Sequence, residues 1–158
     1  MGILHSYAAA VTWTGAGDTG TSGYTAYGRD HEVAFEGKPV LLGSADPAFR
    51  GDPARYNPEE LLVGALAQCH MLWFLHLAAD AGVVVTAYRD DASGTMRIRS
   101  GGSGKFTEVV LRPRVTVRGD VDDAALAELH ERAGEHCFIK QSVNFPVRCE
   151  PTVVARAG

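Results

Sequence analysis

The chain has 158 residues, 46% hydrophobic and 22% charged, which suits one soluble globular domain over residues 1–158 and leaves little room for two. Its formal net charge of −4 comes with no Lys/Arg cluster that would track a phosphate backbone, so nucleic acid is not an expected partner. Three cysteines at irregular spacing, without a CxxC, make no secreted disulfide framework, and Met1 to Tyr7 holds no basic stretch followed by an apolar core; the expected location is the cytoplasm.

In chain order, the first forty residues read as a β meander. Tyr7 to Thr14 alternates weakly and ends at the turn cluster Gly15-Ala-Gly-Asp-Thr-Gly20. Gly23 to Arg29 and Glu32 to Phe35 are predicted as short strands, with a turn at Glu36-Gly-Lys-Pro39. A loop rich in Gly, Pro, Asp and Arg then runs from Gly43 to Asn57, and loops of that length are often functional.

A long helix is predicted from Asn57 or Pro58 to near Gly82. Asn57 is a good N-cap, Pro58 suits the first turn, Glu59 and Glu60 complement the positive end of the dipole, and Gly82 is a C-terminal breaker. Leu62, Leu66, Cys69, Trp73 and Leu77 fall at helical spacing on one face, and Leu72, Trp73 and Phe74 are expected in the core. Leu61 to Ala79 carries no Asp, Glu, Lys or Arg, about the length of a membrane span. Gln68, His70 and His76 interrupt it and no basic flank orients it, so it is read as a buried central helix with no membrane partner.

Val83 to Arg99 reads as one or two β segments, Ser100 to Gly104 as a hairpin turn and Phe106 to Arg118 as the returning strand. Asp120 or Asp122 caps a second helix that ends near Cys137, with Leu126, Leu129 and Ala133 on its apolar face. A short helical turn before Pro146 and a strand from Val147 to Ala155 complete the chain. The predicted class is α+β, with antiparallel strands around a hydrophobic central helix.

Cys69 and Cys137 each sit on a well-defined helix, far apart in sequence, an arrangement that suits a nucleophilic thiol and a resolving partner. Thiol chemistry needs the thiolate, which a nearby guanidinium favours; Arg29, Arg50 and Arg55 are the upstream candidates, and a carboxylate could hold one of them in place. Glu59 lies about 15 Å along a straight helix from Cys69. The two share a site only if the helix breaks near Gly64 or a second chain contributes. Cys149, in the final strand, is read as structural. Cys69-His70, His76, His130 and His136-Cys137 invite a metal reading, but adjacent helical residues point about 100° apart, and no CxxC or HxxxH is present; no metal site is expected, with zinc as the minor alternative.

The segment Asn57-Pro-Glu-Glu-Leu-Leu-Val-Gly-Ala-Leu-Ala-Gln-Cys69, together with Cys137 at the end of the second helix, resembles the OsmC/Ohr family of thiol-dependent peroxidases. The resemblance covers most of the chain. It implies an OsmC-like fold, an intertwined homodimer with sites at the subunit interface, and catalytic roles for Cys69, Cys137, Arg29 and Glu59. Arg29 is chosen because Tyr27-Gly-Arg-Asp-His31 matches the family's arginine turn. It further implies reduction of organic hydroperoxides, with hydrogen peroxide as a second candidate, through a Cys69 sulfenate and a Cys69–Cys137 disulfide. An external dithiol of lipoyl or thioredoxin type would be the reductant, with no bound cofactor. Two departures mark a divergent subfamily: Phe138 stands where the second cysteine is usually followed by Pro, and His70 where Phe commonly follows the first. They motivate a rival reading, a non-catalytic small-ligand-binding or redox-sensing protein on the same fold.

Overall fold

Backbone contacts divide the computed structural model, which describes residues 2–157, into two compact units, 1–61 and 62–158. The first unit carries a three-stranded antiparallel sheet, β1 (Ala10–Trp13), β2 (His31–Ala34) and β3 (Leu41–Gly43), in that order. The predicted strand from Gly23 to Arg29 does not form. Those residues instead make a run of turns and bends, in which Gly15 and Gly28 touch backbone to backbone so closely that a Cβ on Gly15 would collide with the Gly28 carbonyl. The Gly28 N–H donates to Gly15 O at 2.7 Å and the Trp13 indole donates to Gly28 O at 2.8 Å. A 3₁₀ turn at Pro47–Phe49, capped by Asp46, gives the following loop its only helical piece.

Helix α1 (Pro58–Asp80) has the ends its sequence encodes. Asn57 Oδ1 accepts from the Glu60 N–H (2.8 Å) and Glu60 Oε2 accepts from the Asn57 N–H (3.2 Å), a reciprocal cap that satisfies two otherwise unpaired donors. At the far end Gly82 takes φ 71°, and the Val83 N–H closes onto Ala78 O at 2.9 Å. The helix is unbroken at Gly64. By length and composition it could cross a membrane, yet Leu66, His70, Phe74, Leu77 and Ala78 are buried in protein.

In the second unit, six strands form two three-stranded sheets: β4 (Val85–Asp90), β7 (Pro113–Arg118) and β9 (Thr152–Ala157) in one, β5 (Ser93–Ile98), β6 (Gly104–Leu111) and β8 (Val147–Cys149) in the other. The expected strand from Phe106 to Arg118 is thus cut at Arg112, and the final strand at Glu150-Pro151, each half joining a different sheet. An antiparallel arrangement was expected throughout, but β6 pairs β8 and β7 pairs β9 in parallel. The reason is the connection: helices α2 (Asp123–His136) and α3 (Phe138–Gln141) carry the chain back before β8, and only such a crossover allows parallel pairing. The corner where the strands change sheets is tied by Asp90, whose carboxylate accepts from the Arg112 N–H at 2.7 Å, and by an Arg112–Glu150 ion pair at 3.5 Å.

Two apolar clusters hold this unit. One joins Phe74, Leu77 and Ala78 of α1 to Val115 and Val117 of β7 and to Leu126, Leu129 and Ala133 of α2; the other joins Leu66 to Phe106, Val109 and Leu111. The architecture is α+β, as the sequence predicts.

Candidate functional site

α1 places Cys69 half-buried beside its most buried ridge, which runs through Leu66, His70, Phe74 and Ala78 at four-residue spacing. The expected apolar face through Cys69 and Trp73 is therefore turned by one position. Leu72, expected in the core, is 60% exposed.

Cys137 is buried at the joint between α2 and α3, in extended conformation (φ −65°, ψ 108°). Its sulfur caps α3, accepting from the Lys140 N–H at 3.4 Å. The Cys69 thiol lies near enough to act on it electrostatically. Burial, and after it the neighbouring Cys69 thiol, push the Cys137 thiol up to about 11, against the smaller downward pull of the Lys140 N–H; Cys137 is a protonated thiol at neutral pH. One turn from Cys69 and one residue from Cys137, Trp73 and Phe138 meet edge to face, centroids 5.4 Å apart at 82°, and the His136 ring lies 5.0 Å from Trp73. Folding thus brings the two predicted cysteines together.

The other two predicted residues lie in the first unit and are not paired with each other in this chain. The Arg29 guanidinium donates to Tyr27 O (2.6 Å) and Tyr24 O (2.8 Å) and lies over both tyrosine rings, 4.1 Å and 4.5 Å from their centroids. Glu59 has no hydrogen-bond or ion-pair partner among the described residues, whereas Glu60 is committed to the helix cap. Arg55 faces Asp30 at 3.3 Å and Asp52 at 3.8 Å. Arg50 takes φ 67° as the cap of the 3₁₀ turn.

Sequence spacing missed a second cluster. His70 Nε2 lies 3.1 Å from His130 Nδ1 and 3.5 Å from Cys149 Sγ, partners 60 and 79 residues away. His130 stacks on Phe74 at 4.0 Å, and both imidazoles are at most 4% exposed. Burial, with Lys140 adding to it, lowers His70 to about 4; burial and then His70 lower His130 to about 3, so both rings are neutral near pH 7. Burial chiefly, with Asp90 next, pushes Cys149 up to about 12. The three line a cleft of about 530 Å³ together with Glu131, Glu135 and Lys140. The available sequence signal was His70 itself, the one polar residue on an otherwise apolar ridge.

The OsmC-like protein family matches residues 51–152, well over half of the chain and inclusive of both thiols and the histidine pair. The chain belongs to that family. An OsmC-like protein of unknown function from Vibrio cholerae is 36% identical and superimposes with a TM-score of 0.83, over 94% of this chain and all of that one. An organic hydroperoxide resistance protein from Elizabethkingia anophelis shares the fold at 17% identity, with a TM-score of 0.71 over 98% of this chain and 99% of its own. The uncharacterised protein YmaD of Bacillus subtilis is 26% identical over 105 residues, 65% of this chain and 69% of its own.

Proposed function

We propose that the protein is a thiol-dependent hydroperoxide reductase acting through Cys69 and Cys137. The observation that carries this reading is that the Cys69 thiol is a direct neighbour of the buried Cys137 thiol, in a member of a family whose fold is shared by organic hydroperoxide resistance proteins. The Cys69 thiolate attacks one oxygen of the peroxide, the O–O bond breaks, and the leaving oxygen takes a proton to become an alcohol, or water from hydrogen peroxide. The Cys137 thiol then attacks the Cys69 sulfenic acid, releasing water and forming the disulfide. An external dithiol, of lipoyl or thioredoxin type, returns both thiols by exchange. The buried, protonated state of Cys137 suits this order, because it attacks second and needs to be activated only once the sulfenate stands beside it.

In this reading the working unit is a homodimer. α1 is continuous from Pro58 to Asp80, so Glu59 lies about 15 Å along the axis from its own Cys69. A Glu59 and Arg29 that serve Cys69 therefore come from the second chain, where Arg29 favours the thiolate and orients the peroxide and Glu59 holds Arg29. The exposed apolar positions of α1, Leu61 and Leu72 among them, supply surface for the contact.

Peroxide consumption by the purified chain, with a panel of dithiols and with organic and hydrogen peroxides, tests the reading. Turnover that disappears in Cys69→Ser supports it. Turnover that persists in Cys69→Ser, or none with any dithiol, contradicts it.

A further inference from the structure

We propose that His70, His130 and Cys149 form a binding site for a divalent transition-metal ion, zinc by its donor set, with a further coordination position open to the adjoining cleft. The proposal does not use Cys69 or Cys137 and does not depend on peroxidase activity.

Geometry carries it. One ligand atom from each of the three residues lies within 4.8 Å of the other two. Bonds of about 2.05 Å to nitrogen and about 2.3 Å to sulfur at tetrahedral angles give nitrogen–nitrogen edges of roughly 3.3 Å and nitrogen–sulfur edges of roughly 3.6 Å. The observed edges from His70 Nε2 are 3.1 Å and 3.5 Å. Two imidazoles and a thiolate are a zinc donor set, and three protein ligands with one open position are the composition of a reactive zinc centre.

Hydrogen bonding alone serves these atoms poorly. His70 Nε2 has one in-plane position, either a lone pair or a proton, and both His130 Nδ1 and Cys149 Sγ compete for it. Asp90 Oδ2 is buried and unpartnered, and the Asp90 carboxylate acts on the Cys149 thiol. A cation at the cluster replaces the contested hydrogen bond with three bonds of its own, and its charge gives the nearby Asp90 carboxylate an electrostatic counterpart. The imidazole planes lie within 2° of each other with facing nitrogens, so loading turns the rings until both lone pairs meet the ion. Metal ligation needs neutral imidazoles and a thiolate, so uptake displaces the Cys149 proton.

The site is built from three elements: α1 supplies His70, α2 supplies His130, and the end of β8 supplies Cys149. It therefore staples the helices to the corner where the strands change sheets.

Metal titration of the stripped full-length chain tests the proposal, with Co²⁺ as the spectroscopic probe and Zn²⁺ in competition. The expected result is one ion per chain, with thiolate-to-cobalt charge-transfer absorption and tetrahedral visible bands. The Cys69→Ser/Cys137→Ser double variant retains both the stoichiometry and the spectrum. Cys149→Ser loses the charge-transfer band and binds more weakly by about 100-fold or more, exceeding what loss of an outer-shell partner costs. Binding that survives Cys149→Ser but vanishes in the double variant places the ion on the dithiol and overturns the proposal. Absence of stoichiometric binding also overturns it and leaves a hydrogen-bonded cluster only. Should Cys149→Ser fail to fold, zinc-edge anomalous diffraction from crystals of the unaltered, loaded chain decides. A peak bonded to all three residues supports the site; a peak elsewhere, or none, overturns it.

Discussion

Trp73 and Phe138 pack edge to face at 5.4 Å, locking the turn after Cys69 to the residue after Cys137. Phe138, though 68% exposed, thus packs an aromatic ring beside Cys137. An aromatic pair of this kind is worth about 0.5–1.5 kcal/mol beyond its buried area. A double-mutant cycle of Trp73→Ala and Phe138→Ala, read by urea unfolding, should return a coupling in that range. Phe138→Ala alone should also slow disulfide formation after oxidation of Cys69. A coupling near zero would mean that the ring contact plays no part in positioning the thiols.

Cys137→Ser should leave one fast oxidation per site and block further turnover, because no thiol remains to condense with the sulfenic acid. Sulfinic acid at Cys69 should then build up with excess peroxide. Mass spectrometry after a peroxide pulse distinguishes this outcome from unchanged turnover, which would remove Cys137 from the resolving role.

Arg29→Ala should lower peroxide turnover on the order of 100-fold, the scale of losing one preorganised electrostatic donor. Arg29→Lys should restore only part of it, since an ammonium cannot reproduce the fork that grips the Tyr24 and Tyr27 carbonyls. Arg55 is already engaged by Asp30 and Asp52. If Arg55→Ala abolishes turnover while Arg29→Ala spares it, the wrong arginine has been assigned.

The buried imidazoles make the metal-free chain sensitive to acid. His70 and His130 are held below their ordinary value, to about 4 and about 3, so between pH 6.5 and those values the unfolded chain binds protons that the folded chain refuses. Their contribution is fully present above pH 6.5 and is lost as the pH falls. Each adds a slope approaching about 1.4 kcal/mol per pH unit, so the pair approaches about 2.7. Urea midpoints measured between pH 7 and 4.5 should show this, and His130→Gln should remove about half of the imidazole-dependent slope. An unchanged slope would mean that His130 is already protonated in the fold.

A dimer with composite sites predicts complementation. Cys69→Ser and Glu59→Ala chains, each inactive alone, should regain part of the activity when refolded together, because one of the two sites then combines an intact Cys69 with an intact Glu59. A monomer by light scattering rules the composite site out. With α1 unbroken at Gly64, a helix break within one chain no longer offers another route.

Both long helices were legible in the sequence because their ends are written in side-chain chemistry: Asn57 and Glu60 at one cap, Gly82 at one terminus, Asp122 at the other helix. The placement of Cys69 on the first helix and of Cys137 at the end of the second was legible for the same reason. The strand plan was less so. Val109 to Val117 reads as one strand-like stretch interrupted only by Arg112 and Pro113, and nothing local marks a sheet change there; the corner depends on Asp90 and Glu150 arriving from elsewhere in the chain. The His70–His130–Cys149 cluster escaped for a related reason. Metal spacing rules look within one element, and these donors come from two helices and a strand.

The central claim is that Cys69 and Cys137 act as one redox unit, and disulfide mapping tests it most directly. The reduced protein receives one equivalent of an organic hydroperoxide, free thiols are trapped, and the peptides are assigned by mass spectrometry. The account predicts a Cys69–Cys137 disulfide, one alcohol per disulfide, and Cys149 still reduced. A disulfide that joins Cys149 instead, or three free thiols with the peroxide unspent, would contradict it.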